Sequence, residues 1–464
     1  MKIFLVQAAR YLPEFERSMP LGIMYLASYL RERHGCQVKL FDMQLRVKTI
    51  EPVVALAESF RPDLIGISGM ALDAKVIEAL AKGFKEIFPL IPVLVGGPHA
   101  TTYPEHVMRS PSVDFLIIGE GELATSAFVE YMDGKRKLES IPNLIYRKDE
   151  GLHQNELAPF IEDLDSLPFP AYDLIPLERY YNIPRCGIIY SRKRYAAIIT
   201  SRGCPYRCAY CHRVLGKKYR PRSSENVVDE MSWLVKKFKM GEFIIMDDMF
   251  NLQPERINRI AELIIERNLD IKMSFPIGLR GDIMTEESVK LLKEAGMFRC
   301  MYAVETASER LQRLLNKNLD IEKVLKIIET TRKHGVMVHG SFMLGFPTES
   351  EDEAKATIDC ALKSKLHTAA FYRVIPYYGT ELRELAVREG IKIPDEPDSY
   401  EFHKSDAVNV SSMSNKVLTR LRRKAYRKFY LSPKRLWSIF RALPNRASIL
   451  PQLFMIWIRK AFLW

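Results

Sequence analysis

The sequence predicts an α/β fold made of two successive βα series, a doubly wound domain followed by a partial barrel, with a basic helical tail behind them. Three observations carry that prediction. Short apolar, β-rich runs alternate with helix-length amphipathic stretches from the first residues to about 375. A proline-rich stretch with Pro142, Pro159, Pro168, Pro170, Pro176 and Pro184 interrupts the alternation once. From Lys416 to Trp464 there are thirteen Lys and Arg and no Asp or Glu, so the formal charge of +12 belongs to the tail and the rest of the chain is close to neutral. The expected boundaries are 1–135 for the first domain, 136–190 for a proline-rich linker, 191–400 for the barrel and 401–464 for the tail. At 464 residues, 47% hydrophobic and 27% charged, the chain can bury two or three cores.

In the first series the expected strands are 2–7, 38–42, 64–68, 93–97 and 114–120, nearly continuous apolar runs of the kind buried on both faces of a parallel sheet. Helices are expected at 21–33, 51–60, 73–88 and 122–132. A doubly wound sheet binds ligands beyond the carboxyl ends of its strands. Those ends carry Ser68 and Gly69, then Gly96, Gly97, Pro98 and His99, then Gly119, Glu120 and Gly121. The second series has expected strands at 196–200, 242–247, 271–278, 299–305, 336–344 and 367–374, with helices at 225–238, 253–267, 286–295 and 321–334. Six βα repeats make a partial (β/α)6 barrel, whose chemistry belongs at the C-terminal ends of its strands.

After the first of those six strands comes GCPYRCAYC, which places Cys204, Cys208 and Cys211 in one short loop. The other four of the seven cysteines are scattered, and MKIFLVQAAR reads as a first strand and not as a charged leader, so a reducing cytoplasm is the expected compartment. Three thiolates from one loop can converge on a metal centre. A structural zinc site needs four protein ligands, and here His212 merely adjoins Cys211 while no second C-x-x-C pair follows at usable spacing. A cubane iron-sulfur cluster can instead use three cysteines and keep one iron open for a small molecule.

The run Cys204-x-x-x-Cys208-x-Tyr210-Cys211 resembles the signature of radical SAM enzymes. The resemblance implies that the three cysteines hold a [4Fe-4S] cluster and that S-adenosylmethionine chelates its open iron. It further implies SAM contacts for Tyr210, for Asp247 and Asp248 at the second barrel strand, for Arg280 after the third, for Glu305 at the fourth and for Gly345 in FMLGFPTES. Acidic strand ends are also common as helix caps and solvated turns. In the first domain, PLGIMYLASYLRERHG, VGGPHATTYPE and VDFLIIGEGE are similar to the cobalamin-binding domain of the B12-dependent radical SAM subfamily. That implies cobalamin bound at the Ser68, Gly69, Gly96, Gly97, Pro98, His99, Gly119, Glu120 and Gly121 loops. The sequence departs from many cobalamin domains in lacking an Asp-x-His-x-x-Gly loop after the first strand, so the lower axial ligand of cobalt is expected to be absent or water.

The function these resemblances imply is methylation of an unactivated carbon, with an adenosyl radical removing hydrogen and cobalamin supplying the methyl group. Radical oxidation, cyclisation or C–C bond formation without methyl transfer, as in tetrapyrrole-cyclase-like or hopanoid-modifying-like relatives, is the alternative among enzymes. A cobalamin- or redox-responsive binding protein is the alternative outside them. An electron donor of the flavodoxin or ferredoxin kind is the expected partner. In the tail, residues 416–464 interleave Arg and Lys with aromatic and aliphatic residues at helical spacing, which suits either an amphipathic helix on an anionic membrane, with a lipid-like substrate, or a helical cap over the barrel. No RNA or DNA module accompanies it, so nucleic acid is not an expected partner.

Overall fold

The computed structural model describes residues 1–11, 17–149, 151–186, 189–394 and 408–444. The chain divides into two compact units, one formed chiefly by Met1–Arg185 and the other chiefly by Cys186–His212 and Lys217–Asp395 with the helices that follow.

The first unit holds a seven-stranded sheet of β1 (Lys2–Gln7), β2 (Gln37–Asp42), β3 (Leu64–Ser68), β4 (Val93–Gly96), β5 (Phe115–Ile117), β6 (Leu144–Lys148) and β7 (Gly151–Gln154), in the order β2-β1-β3-β4-β5-β6-β7. The first five strands pair in parallel, as their two-sided apolar runs require, and Phe4, Val6, Ile65, Ile67, Val93 and Val95 pack into one core. β6 and β7 are antiparallel and lie inside the span read as linker. Flanking prolines and the fully exposed pattern of β7 hid them; the hairpin is made by pairing, with Asp149 at φ 52° in its turn. The rest of that span is also packed. Tyr172 and Tyr180 are fully buried, and the Tyr180 hydroxyl donates to Asp42 Oδ2 at 2.5 Å. The strand expected over 114–120 stops at Ile117, because Gly119 adopts φ 76°.

The second unit adds β8 (Tyr195–Ile198), the short antiparallel pair β9 (Ser201–Arg202) and β10 (Arg220–Pro221), then β11 (Glu242–Ile245), β12 (Lys272–Leu279), β13 (Met297–Glu305), β14 (Met337–Leu344) and β15 (Thr368–Arg373). The order β15-β14-β13-β12-β11-β8 follows the sequence, and every pairing is parallel. This is the partial (β/α)6 barrel. Its two edges are β8 and β15. Helix Asn415–Tyr430 lies against the β15 edge with Leu418, Leu421, Ala425, Tyr426, Phe429 and Tyr430 buried. The Ala369 N–H donates to the Tyr430 hydroxyl at 3.0 Å and that hydroxyl donates to the Ala369 carbonyl at 2.7 Å. The Phe371 N–H donates to Tyr426 at 2.9 Å, and Arg422 Nε donates to the Phe371 carbonyl at 3.1 Å. The apolar side of this helix therefore covers the barrel, which is the capping alternative, while Lys416, Arg420, Arg423, Lys424, Arg427 and Lys428 remain exposed. The apolar run 449–458 of the tail lies outside the described residues. Among the described residues no helix is long and apolar enough to cross a membrane.

Candidate functional site

The cysteine loop runs between β9 and β10, and Gly203, at φ 81°, starts it with a turn that a residue bearing a Cβ would strain. Two backbone bonds fix its middle: Ala209 N–H to the Leu315 carbonyl at 2.9 Å and Leu382 N–H to the Ala209 carbonyl at 2.8 Å. Ala209 is buried among Leu311, Leu315, Phe346, Val374 and Leu382, with Tyr210 packed against them 6.0 Å from the Phe346 ring. A Cys211 N–H to Cys208 carbonyl bond of 3.1 Å curls the last turn. All three thiols are free.

They share one electrostatic environment. Burial pushes the Cys211 thiol up to about 12, with further upward contributions from Cys208, Asp248 and Cys204, while Lys317 opposes them. Cys204 is raised by burial, opposed by the Tyr206 N–H, and raised again by Cys208 and Asp248. Three thiols near enough to raise one another offer the sulfur donor set that a metal centre deprotonates when it binds. Among the described residues no three His, Cys, Asp or Glu side chains are gathered around a single ion. Three cysteines in one loop are the donor set that three irons of a cubane take.

The other expected SAM residues have distinct surroundings. Asp247 is buried and accepts from Thr200 N at 2.7 Å and from Thr200 Oγ1 and Ser201 Oγ at 2.6 Å each, so its carboxylate bolts the second barrel strand to the first. Asp248 raises the Cys204 and Cys211 thiols by its charge, and its own carboxyl is pushed up to about 6 by burial and by Asp247. Arg280 stacks on Tyr206 with its guanidinium carbon 3.9 Å from the ring centroid, donates to the Lys317 and Asn318 carbonyls at 3.0 Å each and pairs with Asp282. Its guanidinium is thus engaged in bracing the cysteine loop and the 317–318 turn. Glu305 is buried at φ 65°, accepts from Ser341 Oγ at 3.3 Å, and has its carboxyl raised by burial against the pull of Lys317. Gly345 has φ 97°, and a Cβ there would come within 2.9 Å of Leu418.

Two residues escaped the sequence reading. Lys317 is the cation common to Cys204, Cys211 and Glu305, and nothing in NKN distinguishes it from a solvated turn lysine. Glu349 is fully buried, accepts from Gly345 N and Phe346 N with one oxygen, leaves the other without a partner, and is pushed up to about 7 by burial. Its place four residues beyond Gly345 in LGFPTE was the available signal.

In the first unit the expected cobalamin loops meet at the ends of β3, β4 and β5. Gly97 has φ 83°, and a Cβ on it would lie 2.3 Å from Ser68 Oγ; a Cβ on Gly69 would lie 2.9 Å from Ile77. Thr101 Oγ1 donates to the Gly97 carbonyl at 3.0 Å and accepts from Gly119 N at 2.9 Å, joining the loops of Gly96 and Gly119. Pro98 starts the helix Gly97–Thr102, and Gly121 starts Gly121–Met132 behind Glu120, which accepts from Ile161 N at 2.8 Å. His99 donates its backbone N–H to the Gly69 carbonyl at 3.1 Å. Its ring is 1% exposed beside Tyr103 and His106, burial lowers it to about 4, and its buried Nδ1 has no partner. These tight, glycine-bearing loops let a large cofactor approach their backbone closely.

Fold and loops together define a cobalamin-type α/β domain joined to a radical SAM barrel. The family model of the Radical SAM superfamily matches residues 198–361, and that of the B12 binding domain matches residues 16–129. The chain belongs to the radical SAM enzymes that carry a B12-binding domain, whose cofactors are S-adenosylmethionine, a [4Fe-4S] cluster and cobalamin. It is 32% identical to the uncharacterized methyltransferase PH0819 of Pyrococcus horikoshii, over 89% of this chain and 88% of that one. It is 27% identical to the cytidylyl-2-hydroxyethylphosphonate methyltransferase of Streptomyces wedmorensis, over 85% and 82%. Its fold is similar to that of the methyltransferase TsrM from Kitasatospora setae with cobalamin and a [4Fe-4S] cluster bound, with a TM-score of 0.70, 19% identity, and 85% of this chain and 79% of that one covered.

Proposed function

We propose that this enzyme methylates an unactivated carbon of a small molecule whose body is mainly apolar. The observation that carries the proposal is the pinned three-thiol loop in the same chain as the glycine-bearing B12 loops. The likeness to two chains named methyltransferases supports it. When bound, the reduced cluster with SAM supplies a hydrogen-abstracting radical, and cobalamin supplies a methyl donor.

In this reading Cys204, Cys208 and Cys211 hold the cluster, with Lys317 balancing their negative charge. Tyr210, Asp248, Glu305 and Gly345 border the SAM site, while Asp247 and Arg280 position it from behind. Ser68, Gly69, Gly96, Gly97, Pro98, His99, Gly119, Glu120 and Gly121 cradle cobalamin. The apolar substrate is supported by Met301, Ala303 and Met343, partly exposed on the inner face of the barrel, where they exclude water from a reactive centre. The electron comes from a small redox protein of the flavodoxin or ferredoxin kind. Peripheral contact with an anionic membrane, through the exposed basic side of helix Asn415–Tyr430, is part of the same proposal.

The test is product analysis after anaerobic reconstitution and reduction with SAM present. Methyl transfer requires both 5'-deoxyadenosine and S-adenosylhomocysteine. Deoxyadenosine alone would favour radical chemistry without methyl transfer, and neither product would leave a binding protein.

A further inference from the structure

Parallel pairing sets Ala197, Ile244, Ser274, Arg299 and Met337 side by side across five strands of the barrel, so these residues share one face of the sheet. Neighbouring residues decide which face it is. Tyr302 bonds Thr331 of helix Ile321–Lys333 at 2.8 Å, so Cys300, Tyr302 and Val304 point outward to the helices. Arg299, Met301, Ala303 and Glu305 therefore point inward. A Cβ on Gly278 would lie 3.2 Å from Met301 and 3.3 Å from Ala303, and Glu305 meets Ser341 across the same face.

The two faces differ in exposure. Outward Cys300, Tyr302, Val304, Phe342, Leu344 and Phe371 are all 0% exposed. Inward Met301, Ala303, Met343, Thr368 and Tyr372 are partly exposed while inward His339, Ser341 and Ala370 are buried, so a partly accessible, mainly apolar row lies above Arg299. Arg299 itself is 8% exposed, and its Nε and Nη1 are buried without a hydrogen-bond partner. Among the described residues no carboxylate pairs with it. A guanidinium is always charged, and a largely buried charge without a counter-ion is costly, so an anion from outside the protein would relieve it.

We propose that Arg299 anchors an oxyanion of the substrate, a carboxylate or a phosphate-type group, at the floor of the barrel. The proposal rests on the methyltransferase reading for what that substrate undergoes. Glu305, at the cysteine-loop end, lies six positions beyond Arg299, at most about 20 Å at 3.3 Å per residue. The molecule held is thus elongated, with an anionic end on Arg299 and an apolar body along Met301, Ala303 and Met343.

The test uses full-length reconstituted protein and three probes with one chain length: decanoate, decyl phosphate and decanol, each titrated calorimetrically. A charge-assisted hydrogen bond predicts that at least one anion binds about ten- to a hundred-fold more tightly than decanol. Which anion wins distinguishes a carboxylate from a phosphate. The discrimination should vanish in Arg299→Met and persist in part in Arg299→Lys, which keeps the charge but not the planar fork. Equal binding of all three probes to the unsubstituted protein would overturn the proposal whether or not the variants fold, and so would full discrimination by Arg299→Met. The same preparation is assayed for SAM cleavage. Anion discrimination without either SAM-derived product would support the Arg299 site while removing the methyltransferase reading, so the two fail separately.

Discussion

Glu349 illustrates what a single buried carboxyl contributes. Its folded pKa of about 7 lies above the ordinary value of 4.5, so the folded chain binds this proton more tightly than the unfolded one. The contribution is fully present below about pH 4.5 and is lost as pH rises through about 7, on the order of 3 kcal/mol in total. Glu349→Gln keeps an acceptor for the Gly345 and Phe346 amides and removes the titration. Hydrogen exchange at those two amides should therefore lose its pH-dependent destabilisation in the variant; an unchanged dependence would place the titration elsewhere. At this scale legibility was uneven. Cys204, Cys208 and Cys211 were legible as three thiols of one loop, because their spacing alone puts them there. Asp247 and Arg280 were readable as positions but not as roles, since sequence cannot tell that three donors fill one and two carbonyls engage the other. Arg299 looked like any polar residue at the edge of a strand.

Among the elements, the β4 end depends on backbone at Gly97 that favours glycine. Gly97→Ala adds a left-handed strain of about 1–2 kcal/mol and a Cβ 2.3 Å from Ser68 Oγ. It should weaken hydroxocobalamin binding by full-length protein, as followed by absorbance. Ser68→Ala in the same chain should recover only part of the loss, because it relieves the clash and leaves the φ of 83°. Full binding by Gly97→Ala would show that the cofactor does not use this loop. Periodicity revealed the parallel strands because both their faces are apolar, whereas β6 and β7 draw their order from pairing and carried no such pattern. The tail shows the opposite ambiguity. An amphipathic helix is legible, but its sequence does not name the surface that its apolar side meets.

For the whole molecule, helix Asn415–Tyr430 protects the β15 edge of the barrel by occupying the free backbone groups of Ala369 and Phe371. A chain truncated before Asn415 would leave β15 open to pairing with other chains and is expected to be insoluble, and soluble truncated protein with a full cluster would contradict that role. Reversing charge at Arg423, Lys424, Arg427 and Lys428, all exposed, should leave the fold intact and abolish sedimentation with anionic vesicles. Equal sedimentation of the variant would remove the membrane contact.

The proposed chemistry depends on one metal centre with an open iron. Electron paramagnetic resonance of the reduced, anaerobically reconstituted protein tests it most directly. A [4Fe-4S] signal should appear, change its g values when SAM is added, and be missing when Cys204, Cys208 and Cys211 are all replaced by Ala. A signal indifferent to SAM, or one that survives the triple replacement, would contradict the account.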